Sequence, residues 1–230
     1  MEEVARSIRV GSTKPSFNML GTSHDRATPM IGIIDYRAGN APSVGYALER
    51  LGIEHTLIAS PDGLDDVDHL ILPGVGAARA TLDSLASSGL VEPLTRRVIT
   101  ERVPFLGICI GLQVLLERSE EGDVDTLGWV PGTVRRYPES ARVPQIGWNA
   151  VRMQRSHPVT AGFPDGGHCY FVNSYYAVPT DDADVLGSTE YGIEFCSVIA
   201  RDNIVATQFH AEKSGPLGLG LLTAFANWNP

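Results

Sequence analysis

Short apolar runs alternate with helical segments through the first half of the chain. Ile31–Tyr36 (IGIIDY) is a short apolar run that suits a buried parallel strand. Asn40 is placed to cap the next segment, Ser43–Leu51 reads as a helix, and Gly52 ends it. His55–Ile58 and His69–Leu72 are further strands, the latter running into Pro73-Gly74-Val75-Gly76. Ala77–Ala86 and Val91–Glu101 read as helices, Pro104–Ile108 as a strand, and the segment near Ile110–Arg118 as a helix that follows it at once. Strands alternating with helices imply right-handed crossovers and a parallel sheet.

The second half changes character. Thr133–Tyr137, Ile146–Met153, Cys169–Val178, Val198–Arg201 and Ile204–Gln208 all read as strands, with a tight turn at Asp202-Asn203. This half is expected to extend the same sheet in mixed or antiparallel fashion. Leu217–Trp228 reads as a closing helix. The first 29 residues lack any sustained period and any apolar core of a secretory signal. They read as a flexible extension, or as sequence ahead of a true start at Met30; Glu2 and Glu3 disfavour a transit peptide. Residues 30–230 are expected to form one domain.

Composition narrows the function. With 230 residues and 43% hydrophobic content, the chain suffices for one domain with a full core and not for two ordinary ones. A charged fraction of 20% argues against global disorder. The net charge of −9 argues against nucleic acid or an anionic membrane as partner, and no apolar run approaches the ~20 residues of a membrane span. Three cysteines without close pairing suit a reducing, cytoplasmic setting, and without a C-x-x-C or H-x-x-x-H pairing no structural metal site is expected.

Gly107-Ile108-Cys109-Ile110-Gly111 lies where a buried strand becomes a helix. That is the setting of a nucleophile elbow: the central side chain is pushed out at the carboxyl end of its strand, where active sites of open α/β sheets form. A helix N-terminus there favours a thiolate. The alternative is a small buried core cysteine, which is how Cys169 and Cys196 read. A cysteine nucleophile needs a base, and the base needs an orienting group. His210, at the end of a predicted strand on the same sheet edge, and Glu212, two residues on, supply both. The other five histidines (His24, His55, His69, His157 and His168) read as ordinary surface residues. Pro73-Gly74-Val75-Gly76 is either a plain loop or a donor of backbone N–H groups. It is not a dinucleotide fingerprint, since Arg79 holds the last glycine position.

Taken together, these segments resemble the class I glutamine amidotransferases, and within them the glutaminase subunits of imidazole glycerol phosphate synthase. The likeness runs from about Met30 to the C-terminus. It rests on Ile33-Ile34-Asp35-Tyr36 with Ala38-Gly39-Asn40, Leu72-Pro73-Gly74-Val75-Gly76-Ala77, and Gly107-Ile108-Cys109-Ile110-Gly111-Leu112-Gln113. Ile146-Gly147-Trp148-Asn149, Tyr170-Phe171-Val172-Asn173-Ser174-Tyr175 and Gln208-Phe209-His210-Ala211-Glu212-Lys213-Ser214 complete it. Arg37, Asn173 and Ala211 depart from the usual Gly, His and Pro, and Ile110 and Leu112 replace Leu and Met. Arg37 bears on the partner surface, Ala211 on the spacing of His210 and Glu212.

The resemblance implies a flavodoxin-like three-layer domain, mostly parallel with an antiparallel extension, and no cofactor. It implies that Cys109 attacks the side-chain amide of L-glutamine, with His210 and Glu212 completing a triad. Oxyanion donors would come from Ile110 and the Gly74-Val75 peptide. Gln113 and Glu121 would take the α-amino end of glutamine, and the main chain at Ser174 and Tyr175 its α-carboxylate. The ammonia would pass to a (β/α)8-barrel cyclase subunit in a heterodimer, with Asn40, Trp148 and Lys213 facing that partner. From sequence Trp148 is equally an interface anchor or a core aromatic. Glutaminases of pyridoxal phosphate or anthranilate synthesis, and a non-catalytic relative kept for its partner surface, are the competing readings.

Overall fold

A computed structural model describes residues 28–37 and 39–230. Most of the expected N-terminal extension, residues 1–27 with His24, therefore lies outside the described residues, as does Ala38.

Five parallel strands form the spine: β1 (Ile31–Ile34), β2 (His55–Ile58), β3 (His69–Leu72), β4 (Phe105–Ile108) and β13 (Ile204–Thr207), in the order β2-β1-β3-β4-β13. That is the flavodoxin-like order, which creates a crevice at the carboxyl ends of the strands. Strand periodicity of two explains why the runs are apolar throughout. Ile31, Ile33, Ile71, Leu106 and Val205 enter one core, whereas Ile34, Leu70, Leu72, Phe105 and Ile204 enter the other. The first core is covered by α1 (Ala41–Leu51) and α5 (Gly215–Ala226), the second by α2 (Ala78–Ser87) and α3 (Val91–Thr95).

Beyond β13 the sheet turns antiparallel through β12 (Glu194–Arg201), β10 (Tyr175–Pro179) and β7 (Gly132–Arg136), and ends on the short β5 (Arg118–Ser119) and β6 (Val124–Asp125). A second branch leaves through β11 (Val185–Glu190) to the long hairpin of β8 (Gln145–Met153) and β9 (Gly167–Asn173). The expected turn at Asp202-Asn203 joins β12 to β13.

Three expectations are corrected. The helix after Cys109 is a single turn, α4 (Ile110–Gln113). The next carbonyls, of Val114, Leu115 and Leu116, accept from Leu127, Gly128, Trp129 and Val130 on the returning chain, so the helical ladder cannot continue. The single strand expected over Cys169–Val178 is two strands broken at Ser174, because β9 pairs with β8 while β10 pairs with β7 and β12. The segment Val91–Glu101 is α-helical only to Thr95 and continues in wider π turns over Arg96–Thr100. β11 had no apolar alternation to announce it: its buried Ser188 and Thr189 are carried by hydrogen bonds to Glu194 and Ser197.

α4 packs against β3 at a distance that excludes any side chain. A Cβ on Gly111 would lie 2.0 Å from the Leu72 carbonyl oxygen, a backbone atom that cannot swing away. Gly111→Ala is therefore expected to destabilise the domain by about 1–3 kcal/mol or more. Urea unfolding of the two proteins measures this, and equal midpoints would refute it.

Candidate active site

The carboxyl ends of β3, β4 and β13 deliver three segments to one crevice. At the end of β4, Cys109 adopts φ 55° and ψ −105°, a left-handed conformation costly for a residue with a Cβ, and its N–H is held by the Thr207 carbonyl at 2.7 Å. This is the strained turn of an elbow, and it puts the thiol at the first turn of α4. The Ile110 N–H heads that turn and has no intrahelical acceptor. Cys109 Sγ lies 3.8 Å from the Val172 carbonyl oxygen and 3.7 Å from Gln208 Nε2.

At the end of β13, the chain makes a 3-10 turn over Ala211–Lys213. The loop is stapled to β9: the His210 N–H donates to the Tyr170 carbonyl, the Tyr170 N–H donates to Ser214 Oγ, and Ser214 Oγ donates to the His210 carbonyl. His210 Nδ1 lies 2.9 Å from Glu212 Oε1, and both side chains are almost fully buried. Because a carboxylate only accepts, Nδ1 carries the proton and Nε2 is left for Cys109. Burial by itself pushes the imidazole pKa down. Hydrogen bonding to Cys109 and Glu212, with the negative charge of each, outweighs burial and raises it to about 9. The arrangement thus keeps His210 protonated at neutral pH. Ala211 is buried inside the turn, and the His210–Glu212 contact is intact without the proline.

Cys109 and His210 share a cleft of about 230 Å³, sized for a small metabolite. Val75, Gly76 and Ile110 line it on one side, and Ser174 and Tyr175 on another. Gly74 lies behind: a Cβ there would fall 2.1 Å from both Ile110 Cγ2 and Tyr36 Oη, so glycine is what lets this loop approach the elbow. Gln113 Nε2 donates to the Tyr175 carbonyl and to Gln208 Oε1, so what Gln113 can offer a ligand is its carbonyl oxygen, an acceptor suited to an ammonium. Glu121 also lines the cleft, and its Oε2 accepts from the Ala78 N–H at the start of α2.

The crevice brings together Cys109, His210, Glu212, Val75, Ile110, Gln113, Glu121, Ser174 and Tyr175. It treats the three expected partner-facing residues differently. Trp148 is 54% exposed, which settles it as a surface aromatic and not a core one. Lys213 is exposed at the rim of the cleft. Asn40 makes no capping bond to α1; its Nδ2 donates to Glu212 Oε1 at 2.7 Å instead. Cys169 and Cys196 are core residues whose thiols burial pushes up to about 12. His69, read as a surface residue, is buried, with Nε2 bonded to the Trp228 carbonyl. Sequence reasoning missed Gln208, a fully buried amide at Cys109 whose only signal was its polarity at the end of an apolar strand. It also missed a role for Asn173, which is buried at the cleft and donates to Tyr137 Oη and the Tyr175 carbonyl.

Among the described residues, no cluster of side chains could hold a metal ion, and no helix is long and apolar enough to cross a membrane.

A family model, glutamine amidotransferase class-I, matches residues 33–226. The chain is 48% identical over 205 residues to the imidazole glycerol phosphate synthase subunit HisH of Chloroflexus aurantiacus, covering 87% of this chain and 96% of that protein. It is 45% identical to the same subunit of Geobacter sulfurreducens, over 85% of this chain and 97% of that one. In fold it matches the structure of PurLQS from Thermotoga maritima with a TM-score of 0.70 at 19% identity, over 87% of this chain and 98% of that one.

The raised pKa of His210 makes a testable sign. Its charged form stabilises the folded chain fully below about 6.5, and that contribution is lost as pH rises through about 9. Cys109→Ala removes the largest of the interactions holding the pKa up while burial still pushes it down. The His210 ring in that variant should titrate well below about 9 when followed by NMR. An unchanged titration would mean that Cys109 does not hold the imidazolium.

Proposed function

The chain belongs to the class-I glutamine amidotransferases and, within them, to the HisH subunits of imidazole glycerol phosphate synthase, and from that premise we propose how its residues carry the reaction. As the glutaminase subunit it hydrolyses glutamine to glutamate and ammonia. The ammonia serves a cyclase subunit that forms imidazole glycerol phosphate and aminoimidazole carboxamide ribotide in histidine biosynthesis.

The observation that carries the residue assignment is the meeting of Cys109, on its strained elbow, with the His210–Glu212 pair at one sheet edge. The Cys109 thiolate attacks the side-chain amide carbon, and the charge that develops on oxygen is met by the Ile110 N–H and the Gly74-Val75 peptide. His210 gives its proton to the leaving nitrogen, so ammonia departs and a glutamyl thioester remains. Water, deprotonated by His210, then releases glutamate and restores the thiol. Glu212 holds the imidazole in the productive tautomer throughout. The carbonyl oxygen of Gln113 and the Glu121 carboxylate accept from the substrate α-ammonium, and the main chain at Ser174 and Tyr175 receives its carboxylate.

The exposed apolar face of the β8–β9 hairpin supports the docking of a partner beside this cleft. Ile146 (63% exposed) pairs with Val172 and Trp148 with Tyr170 across the hairpin, so the four side chains share one face. The Val172 carbonyl that faces Cys109 belongs to the same hairpin. We assign this face, with Lys213, to a (β/α)8-barrel cyclase in a cytoplasmic heterodimer, with Trp148 as its anchor.

The test is release of ammonia and glutamate by wild type, Cys109→Ala and Trp148→Ala, alone and with a cyclase subunit carrying its nucleotide ligand. Wild type should be slow alone and fast in the liganded complex, and Cys109→Ala should lose roughly 10³-fold or more. Trp148→Ala should keep the basal rate and need more cyclase for stimulation. Activity retained by Cys109→Ala refutes the mechanism, and indifference of wild type to the cyclase refutes the partner.

A further inference from the structure

We infer that Asn40 is a positioning residue of the reaction centre: its side-chain amide fixes the Glu212 carboxylate in the orientation from which it grips His210. The inference rests on the triad reading above and adds to it a residue from the other end of the chain. Asn40 immediately precedes α1, where its residue type ordinarily caps the helix, yet it makes no such bond. Its Nδ2 reaches Glu212 Oε1 at 2.7 Å, across 172 positions of sequence. The partner fixes which end of the amide faces it, since only the N–H end is attracted to a carboxylate oxygen.

The geometry of Glu212 makes this donor necessary. Its side chain is 1% exposed, so water does little to solvate the charge. Oε1 receives both His210 Nδ1 and Asn40 Nδ2, while Oε2 is buried with no hydrogen-bond partner. Held by the imidazole alone, the carboxylate would be free to pivot about one contact; a second donor from a separate element removes that freedom. Beside it stand His210 on its own turn, with Cys109 beyond the imidazole, and the exposed Lys213 next in sequence. Asn40 is itself tied to the first turn of α1, where its carbonyl accepts from the Ser43 and Val44 N–H groups.

Two substitutions separate positioning from packing. Asn40→Ala removes the donor. Asn40→Asp keeps the shape, and its carboxyl donates to Glu212 only when protonated; ionised, it repels Glu212, so the shared proton is held above the ordinary aspartate value of about 3.9. Each full-length chain is assayed with its cyclase for kcat and KM across pH. Each is also tested alone for the rate of Cys109 alkylation by iodoacetamide, to which the buried Cys169 and Cys196 contribute little. Asn40→Ala should lower kcat roughly 10- to 100-fold at every pH with KM for glutamine little changed. Asn40→Asp should be equally impaired at high pH and recover toward wild type as pH falls, which also shows that it is folded. Wild-type kcat in Asn40→Ala, or an Asn40→Asp deficit that does not change with pH, overturns the inference. Cys109→Ala run in parallel keeps the two readings apart: if it stays active, the triad itself fails, whereas a silent Cys109→Ala beside a fully active Asn40→Ala removes only the role of Asn40.

Discussion

The backbone at Cys109 is the constraint on which the rest of this site depends. A φ of 55° on a residue with a Cβ costs about 1–3 kcal/mol, and the surrounding fold must impose it. It does so from two sides. The Thr207 carbonyl captures the Cys109 N–H, and Gly111 lets α4 press against the Leu72 carbonyl. Both restraints come from neighbouring strands of the parallel sheet, so the elbow exists only once β3, β4 and β13 lie side by side. The same order brings the Gly74-Val75 loop to one flank of the thiol and His210 to the other.

Buried charge is the second theme. A carboxylate and an imidazole withdrawn from water are tolerable only as a hydrogen-bonded set. Here the set is Cys109, His210, Glu212 and Asn40, drawn from three separated stretches of chain. Its outcome is an imidazole that stays protonated well above its ordinary range although burial alone would strip the proton. Around it a supporting layer of amides, Gln113, Gln208 and Asn173, spends its donors on carbonyls, on one another and on the Tyr137 hydroxyl, and Gln208 also faces the thiol. The β8–β9 hairpin then links that interior to an apolar outer face, so the part of the molecule suited to a partner is one strand away from the nucleophile.

What the sequence determined by itself was whatever depends on neighbours along the chain. The short apolar run Ile31–Tyr36 marked a buried strand, and the alternation of such strands with helices implied a parallel sheet. The G-x-C-x-G junction marked the elbow, and the two-residue spacing of His210 and Glu212 marked a base with its partner. These signals are local because strand periodicity, glycine conformation and short-range hydrogen bonds are local. Only the tertiary structure decided where α4 stops, since its carbonyls are taken by residues Leu127–Val130, and that β9 and β10 are two strands with different partners. It also decided that Trp148 stands in solvent, that His69 is buried, and that Asn40 serves Glu212 instead of its own helix. Each of these is a choice between a near partner and a distant one, and residue type states only what a group can bond, not which partner the folded chain brings within reach.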